Sequence, residues 1–223
     1  MKVGAVTIGQ SPRVDVMGDM KAILGEEVEV LEAGALDGLS MEEIEEMEPG
    51  EDDYVLVSRL QSGGFAKFGE SFILSRLQDC ITRLENNGAE VIVFLCAGSF
   101  PDIFKANVPL IYPSKILNGI AKAVSERSNM ILITPDEEQI QQAYDQWGPI
   151  MEQVTAIAAN PYGDEEELIK AAQKAKGIDS DLIVMDCIGY TEAAKKLVRK
   201  ISGKPVILCR TMLARVISEW VDV

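Results

Sequence analysis

One pattern in this chain occurs twice, and it constrains the fold more than any other feature. The stretch EVIVFLCAGS at 90–99 aligns without a gap on DLIVMDCIGY at 181–190. Farther on, PLIYPSKIL at 109–117 matches PVILCRTML at 205–213, each reading as proline, short strand, then helix. A continuous apolar run bounded by polar residues is the pattern of a strand buried on both faces of a parallel sheet. Similar runs occupy 2–8, 28–32, 130–133 and 153–158. Amphipathic stretches between them predict helices at 14–24, 40–48, 70–87, 113–127, 136–147, 164–175 and 211–221, with one more from Thr191 to 201. A short helix is expected after Ser99. The run at 54–60, then Ser62-Gly63-Gly64 and Phe65–Phe68, predicts a hairpin. Strands alternating with helices define an α/β fold. The repeat divides it into two similar halves, one holding 1–112 plus the C-terminal helix 210–223, the other 113–209.

Composition then narrows the chemistry. The 223 residues are 47% hydrophobic and 26% charged, the balance of an ordinary globular protein. A formal net charge of -15 repels phosphate backbones and anionic lipid, which argues against nucleic-acid or membrane partners. There is no histidine, so Ser–His–Asp and Cys–His pairs and imidazole acid/base work are excluded. The four cysteines are widely spaced, with no CxxC pair, which predicts free thiols and a cytoplasmic location. The opening apolar run is too short for a signal peptide, and no GxGxxG or Walker pattern occurs.

In both copies of the repeat a cysteine follows the strand, and a glycine two residues on enters the turn to the next element. Ligands of open parallel sheets bind beyond the carboxyl ends of the strands. N–H groups at a helix start favour anions and stabilise a thiolate. Cys96 and Cys187 are therefore the candidate acid/base pair. Two thiols reaching one ligand from opposite sides suit stereoinversion, one removing a proton and the other delivering one to the opposite face. The plain alternative is that each is a small buried hydrophobe, the usual state of a free cysteine. Cys80 and Cys209 are read that way.

The expected binding set surrounds these thiols. Gly98, Ser99, Gly189, Tyr190 and Thr191 follow the two cysteines directly. Gln10, Ser11 and Arg13 follow the first strand, where an arginine fork suits a carboxylate, with a solvated surface arginine as the alternative. Ser11 also reads as the N-cap of a helix with Pro12 in its first turn. Thr134, at the end of the corresponding strand of the second half, either binds substrate or caps the helix after it, the commoner role. Gly63-Gly64 is a lid or, more often, a tight turn. The acidic run 164–167 reads as a solvated helix start.

The opening strand with Thr7-Ile8-Gly9-Gln10-Ser11-Pro12-Arg13, together with Met185-Asp186-Cys187-Ile188-Gly189, resembles the AroM family across essentially the whole chain. That family lies within the superfamily of aspartate/glutamate racemases, hydantoin racemases, maleate isomerases and arylmalonate decarboxylases. The resemblance implies two pseudo-symmetric domains, each with a four-stranded, mainly parallel sheet, and a ligand cleft between them. It implies chemistry without a cofactor or metal, carried by one or two cysteines, with Cys96 the acid/base of the amino half and Cys187 that of the carboxyl half. Relatives of this size are often dimers or larger, which leaves a homodimer open. Two departures matter. The superfamily's racemases usually carry Cys-Asn-Thr/Ser where this chain has Cys96-Ala97-Gly98, and Gly-Cys-Thr where it has Asp186-Cys187-Ile188.

The activity expected on these grounds is racemase or epimerase chemistry, exchanging the proton α to a carboxylate or carbonyl of a small acid. The alternatives are a one-cysteine decarboxylase or cis–trans isomerase of a diacid, or a protein that only binds an anionic metabolite.

Overall fold

Six-residue and four-residue apolar runs become the central strands of two parallel sheets, one in each of two units. The structure, a computed structural model, describes residues 1–25, 27–124 and 129–220. Its units are Met1–Pro113 together with Ala214–Val223, and Ser114–Leu213.

In the first unit β1 (Lys2–Thr7) pairs on one side with β2 (Glu29–Gly34). Two further strands of this unit, β3 (Val55–Arg59) and β4 (Phe65–Gly69), form a separate antiparallel hairpin with Arg59 opposite Phe65. On its other side β1 pairs with β5 (Val91–Phe94), and β6 (Leu110–Ile111) lies beyond, giving the order β2-β1-β5-β6. The second unit contains β7 (Asn129–Thr134), β8 (Gln153–Ala158), β9 (Leu182–Met185) and β10 (Val206–Leu208). Its order, β8-β7-β9-β10, is again second, first, third, fourth along the chain. The sequence repeat thus falls on equivalent strands: β5 and β9 occupy one position in the two sheets, β6 and β10 the next. Every residue of β5 and β9 is buried, as expected of parallel strands covered on both faces.

The helices bury their apolar stripes at helical spacing. Those of the first unit are α1 (Val14–Leu24), α2 (Met41–Glu45) and α3 (Leu74–Asn86). Leu77, Cys80, Ile81 and Leu84 of α3 sit in the first core with Phe68, Ile92 and Phe94. Next come α4 (Pro113–Val124), α5 (Gln139–Trp147), α6 (Glu165–Lys176), α7 (Glu192–Ser202) and α8 (Cys209–Trp220). Among the described residues no helix is long and apolar enough to cross a membrane.

Several expectations need correction. The helix expected after Ser99 does not form. The aromatic rings of Phe100 and Phe104 pack on Phe94, with centroids 5.2 and 5.4 Å away. Backbone N–H groups that a helix would use internally are taken by α3, Lys105 donating to Gln78 Oε1 at 2.8 Å and Val108 to Glu85 Oε1 at 3.2 Å. Ser11 does not cap α1, which starts at Val14 without a side-chain cap, because the Ser11 hydroxyl donates to Asp37 at 2.6 Å. The helix expected over 70–87 is a 3-10 turn at Glu70–Phe72 followed by α3. Thr134 does not cap α5, which begins only at Gln139; its hydroxyl donates instead to the Asp136 carbonyl at 3.3 Å. The last part of the helix expected over 113–127, and Val221, lie outside the described residues.

Candidate functional site

The two repeat cysteines have the same local architecture. Cys96 follows β5 and Cys187 follows β9, and they are 8% and 7% exposed. In the first unit the Gly98 N–H donates to Cys96 Sγ at 3.4 Å, and in the second the Gly189 N–H donates to Cys187 Sγ at 3.3 Å. A backbone N–H aimed at sulfur is worth more to a thiolate than to a thiol, because it bonds the charged form. The turn after each strand therefore brings an anion-favouring donor to each sulfur. A tyrosine stands behind each of these glycines: an added Cβ would lie 3.5 Å from Tyr54 at Gly98 and 2.4 Å from the Tyr162 hydroxyl at Gly189.

Around Cys187 three further side chains are fixed. Asp186 directs its carboxyl to the buried indole of Trp147, whose Nε1–H donates to Oδ2 at 3.0 Å. The other oxygen, Oδ1, is shut off from solvent and makes no hydrogen bond. Burial pushes the carboxyl up to about 7, partly offset by the indole bond. Tyr190 is 1% exposed and its hydroxyl donates to the Ala159 carbonyl at 2.5 Å. Burial raises this phenol well above its ordinary value, helped by the neighbouring acids Cys187, Asp186, Tyr162 and Glu167. Arg210, at the second position of α8, is 1% exposed and donates to the carbonyls of Ile188 and Gly189 at 2.9 and 3.0 Å. Near Cys96, Tyr112 stacks on Phe94 at 4.6 Å, and burial followed by the Asp102 charge raises its phenol.

The remaining expected residues are distributed as follows. Gly98 and Gly189 hold their cysteines as described, and Ser99 follows Gly98 in the irregular stretch. Thr191 is the N-cap of α7, its hydroxyl accepting the Ala194 N–H at 3.0 Å. Thr134 ends β7 and is 3% exposed. Arg13 is neither a solvated arginine nor an open fork. It is 2% exposed and pairs with Asp15 at 2.9 Å through two parallel bonds, while Nη1 donates to Thr7 and Ser58. Ser11 is held by Asp37 through both its N–H, at 2.7 Å, and its hydroxyl. Gln10 accepts the Gln61 N–H at 2.9 Å, which ties the loop after β1 to the hairpin turn. Gly63, at φ 97°, makes that turn tight.

A cavity of about 360 Å³ lies in the first unit, with Gln10, Arg13, Arg59 and Gln61 in its walls. Another, of about 560 Å³, lies in the second between α5 and α6, walled by Asp136, Glu137, Asn160, Lys170 and Lys174 among others. Neither has Cys96 or Cys187 in its wall. Sequence reasoning passed over Arg210, Trp147 and Asp37. The signal for Arg210 was there: the repeat sets it against Ser114, an arginine where the first copy has a small hydroxyl.

Two units whose parallel sheets share one strand order, each with a thiol just past the third strand of its sheet, define the class as a two-unit α/β fold. The sequence matches the family described as AroM protein over residues 3–221, and the chain belongs to that family. Among solved structures it is similar to an allantoin racemase from Klebsiella pneumoniae at 17% identity and TM-score 0.64, covering 100% of this chain and 88% of that one. It is also similar to the maleate isomerase Iso from Pseudomonas putida S16, at 14% identity and TM-score 0.66, covering 100% and 93%. A third similar structure is the aspartate racemase of Picrophilus torridus, at 12% identity and TM-score 0.65, covering 100% and 95%. These likenesses, at 12–17% identity, are likenesses of fold over the whole chain. No curated protein sequence matches the chain.

Proposed function

We propose that the protein is a cofactor-independent racemase or isomerase that exchanges the proton α to a carboxylate or carbonyl of a small anionic acid, with Cys96 and Cys187 as opposed acid and base. The observation that carries this reading is the matched N–H to sulfur bond from the glycine two residues past each cysteine, at 3.4 and 3.3 Å. One thiolate takes the α proton, the carbanion's charge passes into the adjoining carboxylate or carbonyl, and the other thiol returns a proton to the opposite face. Two thiols start from the same ordinary proton affinity, which suits a proton taken by one and returned by the other.

Ser99 is the proposed hydroxyl donor to the anion and Gln10 an amide donor, while the Gly98 and Gly189 N–H groups serve the sulfurs and Thr134 bonds the Asp136 carbonyl. Tyr190 and Thr191 shape the loop after Cys187, and Ser11 and Arg13 the loop after β1, since each has a partner within its own unit. The similar structures, an allantoin racemase, an aspartate racemase and a maleate isomerase by name, support racemase or isomerase chemistry in general.

Incubation with a panel of small chiral 2-substituted acids in deuterium oxide tests the reading. Deuterium is expected at the α carbon by NMR, and Cys96→Ala and Cys187→Ala each reduce exchange by about 100-fold or more, the scale of a lost general acid or base. Turnover that survives both substitutions overturns it. One observation favours a second reading with one working thiol: Asp186 and Arg210 flank the Cys187 loop, whereas the repeat gives the Cys96 side Ser114 in place of the arginine. Strongly unequal losses in the two variants select that reading.

A further inference from the structure

Arg210 is a charged side chain buried to 1% exposure, a costly placement unless its charge is used. Its Nε–H donates to the Ile188 carbonyl at 2.9 Å. The N–H on the other side of that same peptide, belonging to Gly189, donates to Cys187 Sγ at 3.3 Å. The peptide is trans, so its carbonyl and its N–H point in opposite directions. Turning the carbonyl onto the guanidinium therefore turns the N–H onto the sulfur. A second arm donates to the Gly189 carbonyl at 3.0 Å and fixes the next peptide in the same sense.

We infer that Arg210 is a positioning residue for Cys187: it orients and polarises the Ile188–Gly189 peptide so that the Gly189 N–H stabilises the Cys187 thiolate. A cation on the carbonyl draws electron density along the peptide and strengthens the N–H as a donor, the cooperativity expected of chained hydrogen bonds. The titratable groups around this loop are acids, namely Asp186, Tyr190, Tyr162 and Glu167. Of these, the carboxyls of Asp186 and Glu167 oppose a thiolate when ionised, and the guanidinium supplies the opposite sign. The first copy of the sequence repeat has Ser114 at the position of Arg210, so the device belongs to Cys187 and not to Cys96.

The inference rests on the proposed role of Cys187 only for its meaning in catalysis; its test reads the thiol without substrate. Alkylation of full-length protein by iodoacetamide is followed from pH 5 to 10, with Cys187 and Cys96 resolved by peptide mass spectrometry. In Arg210→Met and Arg210→Lys the Cys187 midpoint is expected to rise by about one pH unit, lowering its rate near neutrality about tenfold, while Cys96 keeps its profile. Met removes the charge and both arms; Lys keeps the charge but not the fork. An unchanged Cys187 profile in either folded variant overturns the inference, and so does an equal rise at both cysteines, which marks a general loosening. Should the Met variant fail to fold, Lys decides on the same criterion. Failure here with Cys187→Ala still inactive would remove Arg210 and leave the proposed function standing.

Discussion

The glycine two residues past each cysteine has the same job in both units but not the same room. At Gly189 an added Cβ would lie 2.4 Å from the Tyr162 hydroxyl and 3.0 Å from Pro161 Cγ, so the Tyr162 ring must shift and Pro161 must give. At Gly98 the nearest atom would be Cys96 Sγ at 3.4 Å, an ordinary contact. Gly189→Ala is therefore expected to cost roughly 1–3 kcal/mol, the range of overpacked sites, and Gly98→Ala less than about 1 kcal/mol. Urea unfolding of the two variants checks this; equal losses would show that the backing tyrosine does not discriminate. The cysteines and these glycines could be picked out from the sequence because the repeat displays them in register. Their partners could not. Ser11 is bound by a carboxylate at position 37, and Arg13 reaches Ser58 on β3, contacts distant in sequence that no local pattern announces. Arg13 shows the limit most clearly: an arginine near a helix start reads as an open anion fork, and Asp15 has already closed it.

Elements were legible wherever the signal was continuous burial. All the expected strands exist, and the hairpin with its Gly-Gly turn pairs antiparallel as its residues indicate. The failures cluster where distant side chains take over backbone bonds. Residues 99–109 could have closed a helical turn, but α3 offers Gln78 and Glu85 as substitute acceptors, and Glu85 Oε1 takes the N–H groups of both Asn107 and Val108. Glu85→Ala is expected to release that segment. Hydrogen–deuterium exchange at Asn107 and Val108 should quicken about tenfold, equivalent to roughly 1–1.5 kcal/mol for the lost charged acceptor, while the amides of β5 keep their protection. Unchanged exchange at both amides would mean that the Phe100 and Phe104 packing alone holds the segment.

At the scale of the whole molecule, two carboxyls make stability depend on pH in a direction opposite to ordinary acid denaturation. Asp186 is pushed up to about 7 chiefly by burial, and Glu70 to about 7 by burial and by the nearby Asp53 charge. Each also keeps one oxygen, Asp186 Oδ1 or Glu70 Oε1, buried without a hydrogen bond. Their ordinary values are 3.8 and 4.5, so between about pH 4 and 7 the folded protein holds protons that the unfolded chain has released. Folding stability contributed by these groups is then complete below that window and falls as pH rises through it. Glu43 runs the other way, lowered by the backbone and hydroxyl of Ser40, and it is exposed. The net charge of -15 adds self-repulsion in the same sense as the two raised carboxyls, so wild-type stability at pH 5 against pH 8 cannot by itself assign the effect. The variant Glu70→Gln with Asp186→Asn separates them. It removes only two ionisations, and the amide oxygen at 186 can still accept the Trp147 N–H. Urea unfolding should show the wild type losing stability from pH 5 to pH 8 and the double variant losing distinctly less, with the variant the more stable of the two at pH 8. Parallel pH profiles would mean that both carboxyls are solvated in solution and that self-repulsion alone sets the slope.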